Sequence, residues 1–114
     1  MIKFTILLRR RAGLTHEQFV DYHRQQHAPL FMSLPVVQDN VRRYVQQHTI
    51  DAPLPGLPPT TIDGLPELWF DDVESVANVF TAPSYLETIR PDEEKFLDLH
   101  GCEFILSEEH PVHP

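Results

Sequence analysis

The chain is expected to fold as one α+β domain of the ferredoxin-like kind, a four-stranded antiparallel sheet in the order β-α-β-β-α-β. Three observations lead there. Residues 2–9 alternate, with Ile2, Phe4, Ile6 and Leu8 on one side and Lys3, Thr5, Leu7 and Arg9 on the other, the period of a half-buried strand. Two segments with helical spacing follow, one after Thr15 and one after Asp71-Asp72. Three further strand-like runs occupy 41–50, 62–70 and 102–108, which completes the split-βαβ order. Such a sheet carries helices on one face only. A second subunit packing sheet to sheet would cover the other, so a homodimer closing a barrel is expected.

Each element has its own justification. Ala12-Gly13 marks the turn after the first strand, and Thr15-His16-Glu17-Gln18 is a capping-box pattern that opens the first helix. That helix is expected to run to about Leu34. Counting ~100° per residue from Phe19, Gln26 (~−20°) and His23 (~40°) fall mid-stripe and His27 (~80°) on its shoulder. Pro29 then removes an amide and biases Ala28 away from helix, so a kink or break is expected just after His27. Strand 41–50 places Tyr44, Gln46 and His48 on one side. Residues 51–61 hold four of the eleven prolines and read as an extended loop.

Strand 62–70 sets Glu67 and Trp69 on one face and Leu68 and Phe70 on the other, with Pro66 implying a bulge or an unpaired amide. Asp71 or Asp72 caps a second helix whose Val73, Val76, Ala77 and Phe80 repeat at i, i+3, i+4, i+7, and Pro83 ends it. Ser84-x-x-Glu87 resembles another cap. Pro91 opens a short acidic helical segment ending near Leu99, with Asp92-Glu93-Glu94 as an N-terminal face favoured by the helix dipole. The domain spans 1–109, and 110–114 form a tail whose His110 and His113 are poor ligand candidates.

Composition narrows the function. At 114 residues and 41% hydrophobic the chain holds one domain with a modest core. A net charge of −8 argues against nucleic acid or an anionic membrane as partners. The single cysteine, Cys102, excludes an internal disulfide and reads as a packed strand residue rather than a nucleophile. The N-terminal charges follow the apolar run instead of preceding it, the wrong order for a signal peptide. No run approaches the ~20 apolar residues of a membrane span. A cytoplasmic location is expected.

Several stretches carry a family likeness: FTILLRRRAGLTHEQFVDYHRQQHAPL, then SLP, RRY, GLPELWFDD and FILSEEH. Together they resemble the EthD family of the dimeric α+β barrel superfamily. The most specific parts are F-x-x-Y-x-x-x-x-H-A-P-L and E-L-W-F. Relatives of that family include methylmuconolactone methylisomerase and fungal dehydratases acting on aromatic polyketides, which work without metal or organic cofactor. The resemblance implies a pocket between sheet and helices. It places the family's helix histidine on His27, its tyrosine on Tyr44, and its strand glutamate and tryptophan on Glu67 and Trp69. Where the family often has tryptophan after Tyr22, this chain has His23, which implies a more polar pocket.

The chemistry implied is proton transfer next to a carbonyl, as in isomerisation, cyclisation or dehydration. His27 is the candidate general acid/base, since imidazole titrates near ~6.5. Tyr44 is the candidate hydrogen-bond donor to a developing oxyanion. Glu67 is expected to orient His27 or to hold a second proton, and Glu67, Trp69, His23, Gln26 and His48 are expected to contact the substrate, a small apolar or aromatic carbonyl compound. No cofactor and no metal are expected. Two alternatives stand beside this reading. One is a non-catalytic binder of such a compound. The other is a monooxygenase or a haem- or metal-binding protein, for which His23-x-x-x-His27 has ligand spacing.

Overall fold

The computed structural model describes residues 1–114. Strand β1 (Ile2–Leu7) leads into α1 (His16–Tyr22), a π-helical turn (His23–His27), α2 (Ala28–Met32) and α3 (Pro35–Asn40). Strands β2 (Val41–Val45) and β3 (Glu67–Phe70) follow, then α4 (Val73–Phe80), a second π turn (Tyr85–Ile89), α5 (Arg90–Phe96), a 3-10 turn (Leu99–Gly101) and β4 (Glu103–Glu108). The sheet order is β2-β3-β1-β4, antiparallel throughout, the ferredoxin-like arrangement. No helix is long and apolar enough to cross a membrane.

The two sheet faces follow from the alternation. Phe4, Ile6, Leu8, Leu68 and Phe70 are buried beneath the helices and share a core with Phe19, Phe31, Val79, Ile89 and Phe96. Lys3, Arg43, Glu67 and Trp69 occupy the other face: Trp69 lies opposite both Lys3 and Arg43, and Glu67 lies opposite Thr5. The capping box forms as expected. Gln18 N–H donates to Thr15 Oγ1, and Thr15 N–H donates to Gln18 Oε1. Asp72 caps α4 by accepting from Ser75 N–H at 2.8 Å.

Prolines account for most departures from the expected elements. Pro29 does not break the first helix. Ala28 keeps helical angles (φ −60°, ψ −48°) and its N–H donates to His23 O, five residues back. The extra residue widens the turn and carries the chain past the carbonyl that the proline ring would strike, so Pro29 enters as the first turn of α2. The same device recurs at Pro91, where Arg90 N–H donates to Tyr85 O. Pro83 ends α4 but also starts the next helical turn, so Ser84 is already helical and makes no side-chain cap. Helix α3, which begins at Pro35, was not anticipated.

Pro66 produces no bulge. Leu8 opposite Gly64 and Thr5 opposite Glu67 lie in one register, so the proline removes an amide without inserting a residue. The regular ladder of β3 therefore begins only at Glu67, and β2 ends at Val45 with a single further bridge from His48 to Gly64. Gly64 eases a close approach here. A Cβ on it would lie 3.2 Å from the ring of Phe19, whose packing on that backbone fixes α1 over the sheet.

Candidate active site

The π turn sets the geometry of the site. In an ideal α-helix residues four apart drift by ~40° per step, so a row of four would leave the core face. A π turn advances less per residue and cancels that drift. Phe19, His23, His27 and Phe31 consequently stay in one row, each ring within 6.3 Å of the next, and all four are buried. The same correction rotates Gln26 outwards. It is exposed, not mid-stripe, because the helical count of its phase assumed a regular α-helix.

His27 Nδ1 lies 2.9 Å from Asp92 Oδ2, and both side chains are buried. A carboxylate only accepts, so Nδ1 carries the proton and Nε2 keeps its lone pair. Tyr22 O–H donates to the other oxygen of Asp92 at 2.5 Å, and burial together with that carboxylate pushes the Tyr22 hydroxyl up to about 12. No buried side-chain nitrogen or oxygen lacks a partner. His27 Nε2 makes no hydrogen bond within the protein and must therefore open onto free space.

That space is a cavity between helices and sheet, bounded by His27, His23, Tyr44, Phe96, Leu68 and Phe104 among others. It is half open to the surface, with about 30 Å³ of free space at its centre. Tyr44 reaches it from β2. Gln46 Nε2–H donates to the Tyr44 hydroxyl oxygen at 2.7 Å and to His23 O at 2.9 Å, which leaves the Tyr44 proton free to donate onward. Burial raises the Tyr44 hydroxyl to about 12, so it stays protonated at neutral pH. Glu93 closes another wall. It accepts from Tyr85 O–H at 2.6 Å and from Arg90 Nε–H at 3.0 Å, and its burial raises its pKa.

Of the side chains singled out in the sequence, the fold brings His23, His27 and Tyr44 to this cavity. His48 stands behind His23, with its Nε2 2.8 Å from His23 Nδ1. Glu67 and Trp69 are elsewhere. They project from the opposite face of the sheet, where Glu67 meets Lys3 and Gln47, and where Trp69 lies under Lys3 and Arg43 and donates to Glu109. The sheet stands between Glu67 and His27, so Glu67 does not orient that ring. Asp92 does.

Asp92 and Glu93, on the N-terminal face of their helix, are buried. A signal for this was present: Ile89, Asp92, Glu93 and Phe96 recur at i, i+3, i+4, i+7, which puts two acids on the apolar stripe. The two π turns bracket the pair they create, since His27 ends the first and Asp92 stands just after the second. No group of three His, Cys, Asp or Glu side chains converges as a metal-ligand set. A much larger surface cleft, about 1100 Å³, surrounds Arg9–Leu14 and Asp98–His100. Its arginines are already engaged, Arg9 with Gly101 O and Thr61, Arg10 with Asp63 and Arg11 with Glu94 O, and it contains none of the candidate residues.

A family model, the EthD domain, matches residues 11–100. The chain belongs to the EthD family. Solved structures agree with the fold of this EthD domain. An EthD family protein from Bacillus halodurans is 19% identical and superposes with a TM-score of 0.71, covering 96% of this chain and 99% of its own. A dimeric ferredoxin-like protein of unknown function from Bacteroides fragilis is 15% identical, with a TM-score of 0.66 and coverage of 95% of both chains. A Nitrosomonas europaea protein, described provisionally as an antibiotic biosynthesis monooxygenase, is 11% identical with a TM-score of 0.61, covering 96% of this chain and 98% of its own. No curated protein matches the sequence.

Proposed function

We propose that this EthD domain is a cofactor-independent lyase or isomerase acting on a small, mostly apolar carbonyl compound. One observation carries the reading: His27 Nδ1 is held by buried Asp92, which turns its free Nε2 towards the same apolar cavity that receives the Tyr44 hydroxyl. His27 Nε2 removes a proton from the carbon next to the carbonyl, and Asp92 stabilises the imidazolium that results. Tyr44 donates to the carbonyl oxygen as it becomes an enolate, and the Gln46 amide polarises that hydroxyl. Returning the proton to another carbon isomerises the substrate. Returning it to a departing β-hydroxyl instead releases water.

The likeness to the Nitrosomonas europaea protein favours oxygenation as a second reading. There the carbanion formed by His27 would be oxidised by dioxygen, and oxygen consumption would report it.

The test follows small enolisable ketones and lactones by NMR in deuterated water. The protein is expected to exchange the α-proton of at least one of them, and Tyr44→Phe to slow that exchange by ~10- to 1000-fold. Saturable binding with no exchange and no oxygen uptake would make the protein a binder.

We also propose a homodimer in the cytoplasm. Strand β4 is exposed along its whole length, including Phe104, Ile105 and Leu106, and Phe104 is an outer wall of the cavity. A partner over this edge and over the open sheet face would bury that apolar row. The dimeric Bacteroides fragilis fold supports this reading. Ile105→Asp is expected to yield a monomer by light scattering where the unaltered chain is dimeric.

A further inference from the structure

We propose that His23 and His48 form a proton relay connecting the cavity beside His27 with bulk water; this rests on the proton-transfer chemistry proposed above. The shared bond is short, with His23 Nδ1 and His48 Nε2 2.8 Å apart and the rings nearly perpendicular. Two nitrogens at that distance need one proton between them, so one ring donates and the other accepts. Each ring then has a second nitrogen that faces away from the pair. His23 Nε2 has no partner, yet it is not sealed, since no buried side-chain nitrogen is unpaired. The ring is 1% exposed and lines the cavity, so the free space it meets is the cavity. His48 is only half-buried, beyond the end of β2, and its Nδ1 is likewise unpaired.

The groups around the pair suit a neutral wire. His23 is flanked by Phe19, Phe96 and His27. His48 has Phe19 against it, and the positive fields of Arg24 and His16 act on it. Burial and these neighbours hold both imidazoles below their usual range, so neither traps the proton it passes.

The step balances. A proton taken up at His23 Nε2 releases the Nδ1 proton to His48 Nε2, and His48 gives its Nδ1 proton to water. One proton enters the pair and one leaves. Both rings are then in the opposite tautomer, with His48 as the donor in the shared bond. That state can only run in reverse, delivering a proton from water to the cavity. Export and import alternate, so one of each restores both rings to their starting tautomers. A tryptophan at position 23, as the family resemblance leads one to expect, would pack in the same aromatic row and provide no wire.

The test needs no substrate. In the full chain labelled with ¹⁵N-histidine, both rings are expected to be neutral at pH 7, with a scalar coupling across the bond between His23 Nδ1 and His48 Nε2. His48→Asn keeps a hydrogen-bonding partner, donor or acceptor, for His23 Nδ1 but has no second ring nitrogen. It is expected to slow water exchange of the His23 ring proton on the order of tenfold or more, with an unchanged melting midpoint. His48→Gln serves if the asparagine variant does not fold. Unchanged exchange in the variant, or no coupling in the unaltered chain, overturns the relay. A chain inert towards every carbonyl compound but with the coupling intact would remove the proposed reaction and leave the wire; the opposite outcome would remove the wire alone.

Discussion

His27→Ala is expected to lower turnover of an identified substrate by ~100- to 10,000-fold, the usual contribution of a positioned general base. The loss should appear in kcat, since the imidazole acts on the reacting proton. Asp92→Asn is the sharper companion. An asparagine fits the site but can present its NH₂ to His27 Nδ1, which favours the tautomer with the proton on Nε2, where it cannot act as a base. It also removes the negative charge that stabilises the imidazolium. A loss approaching that of His27→Ala is expected, with the fold retained, because Tyr22 O–H can still donate to the amide oxygen. Turnover within a few-fold of the unaltered chain in His27→Ala would dismiss the general-base role.

The second large effect is acid lability. Burial, with His27 and His48 nearby, holds His23 at about 3, against 6.5 for a free imidazole. Below pH 6.5 the unfolded chain therefore binds a proton that the native ring refuses. The stability this group contributes is complete above that pH and is withdrawn as pH falls towards 3. At ~1.4 kcal/mol per unit, the withdrawal is on the order of 5 kcal/mol, a large share of the 5–15 kcal/mol typical of a small domain. His48 shifts in the same direction and adds to the effect, whereas the raised carboxyl of Glu93 opposes it at the acid end. Urea unfolding at pH 7 and pH 4.5 should show the difference, and His23→Phe should flatten it. An equally steep pH dependence in that variant would mean that His23 is not the group responsible.

Much of the fold was legible in the sequence because it depends on short-range periodicity. The two-residue alternation in β1 and the i, i+3, i+4, i+7 pattern of α4 name the faces that are buried, and the Thr15 and Asp72 caps form with the partners their spacing predicts. The site was only partly legible. His27, Tyr44 and His23 could be placed on elements that turn towards a common space. Gln26 was misplaced because a π turn changes the angular count, and nothing local signals such a turn except the proline that follows it. Asp92 lies 65 residues from His27, and their pairing depends on how α5 packs against the first helix.

The sequence by itself determined the β-α-β-β-α-β order and the two faces of the sheet, since each is set by neighbours a few residues apart. Tertiary structure alone decided which acid meets His27 and on which side of the sheet Glu67 stands relative to it. It also decided that His23 pairs with His48 across two elements. Those choices follow from the docking of helices whose contacts are distant in the chain, where one apolar stripe is chemically much like another and only complementary packing selects the partner.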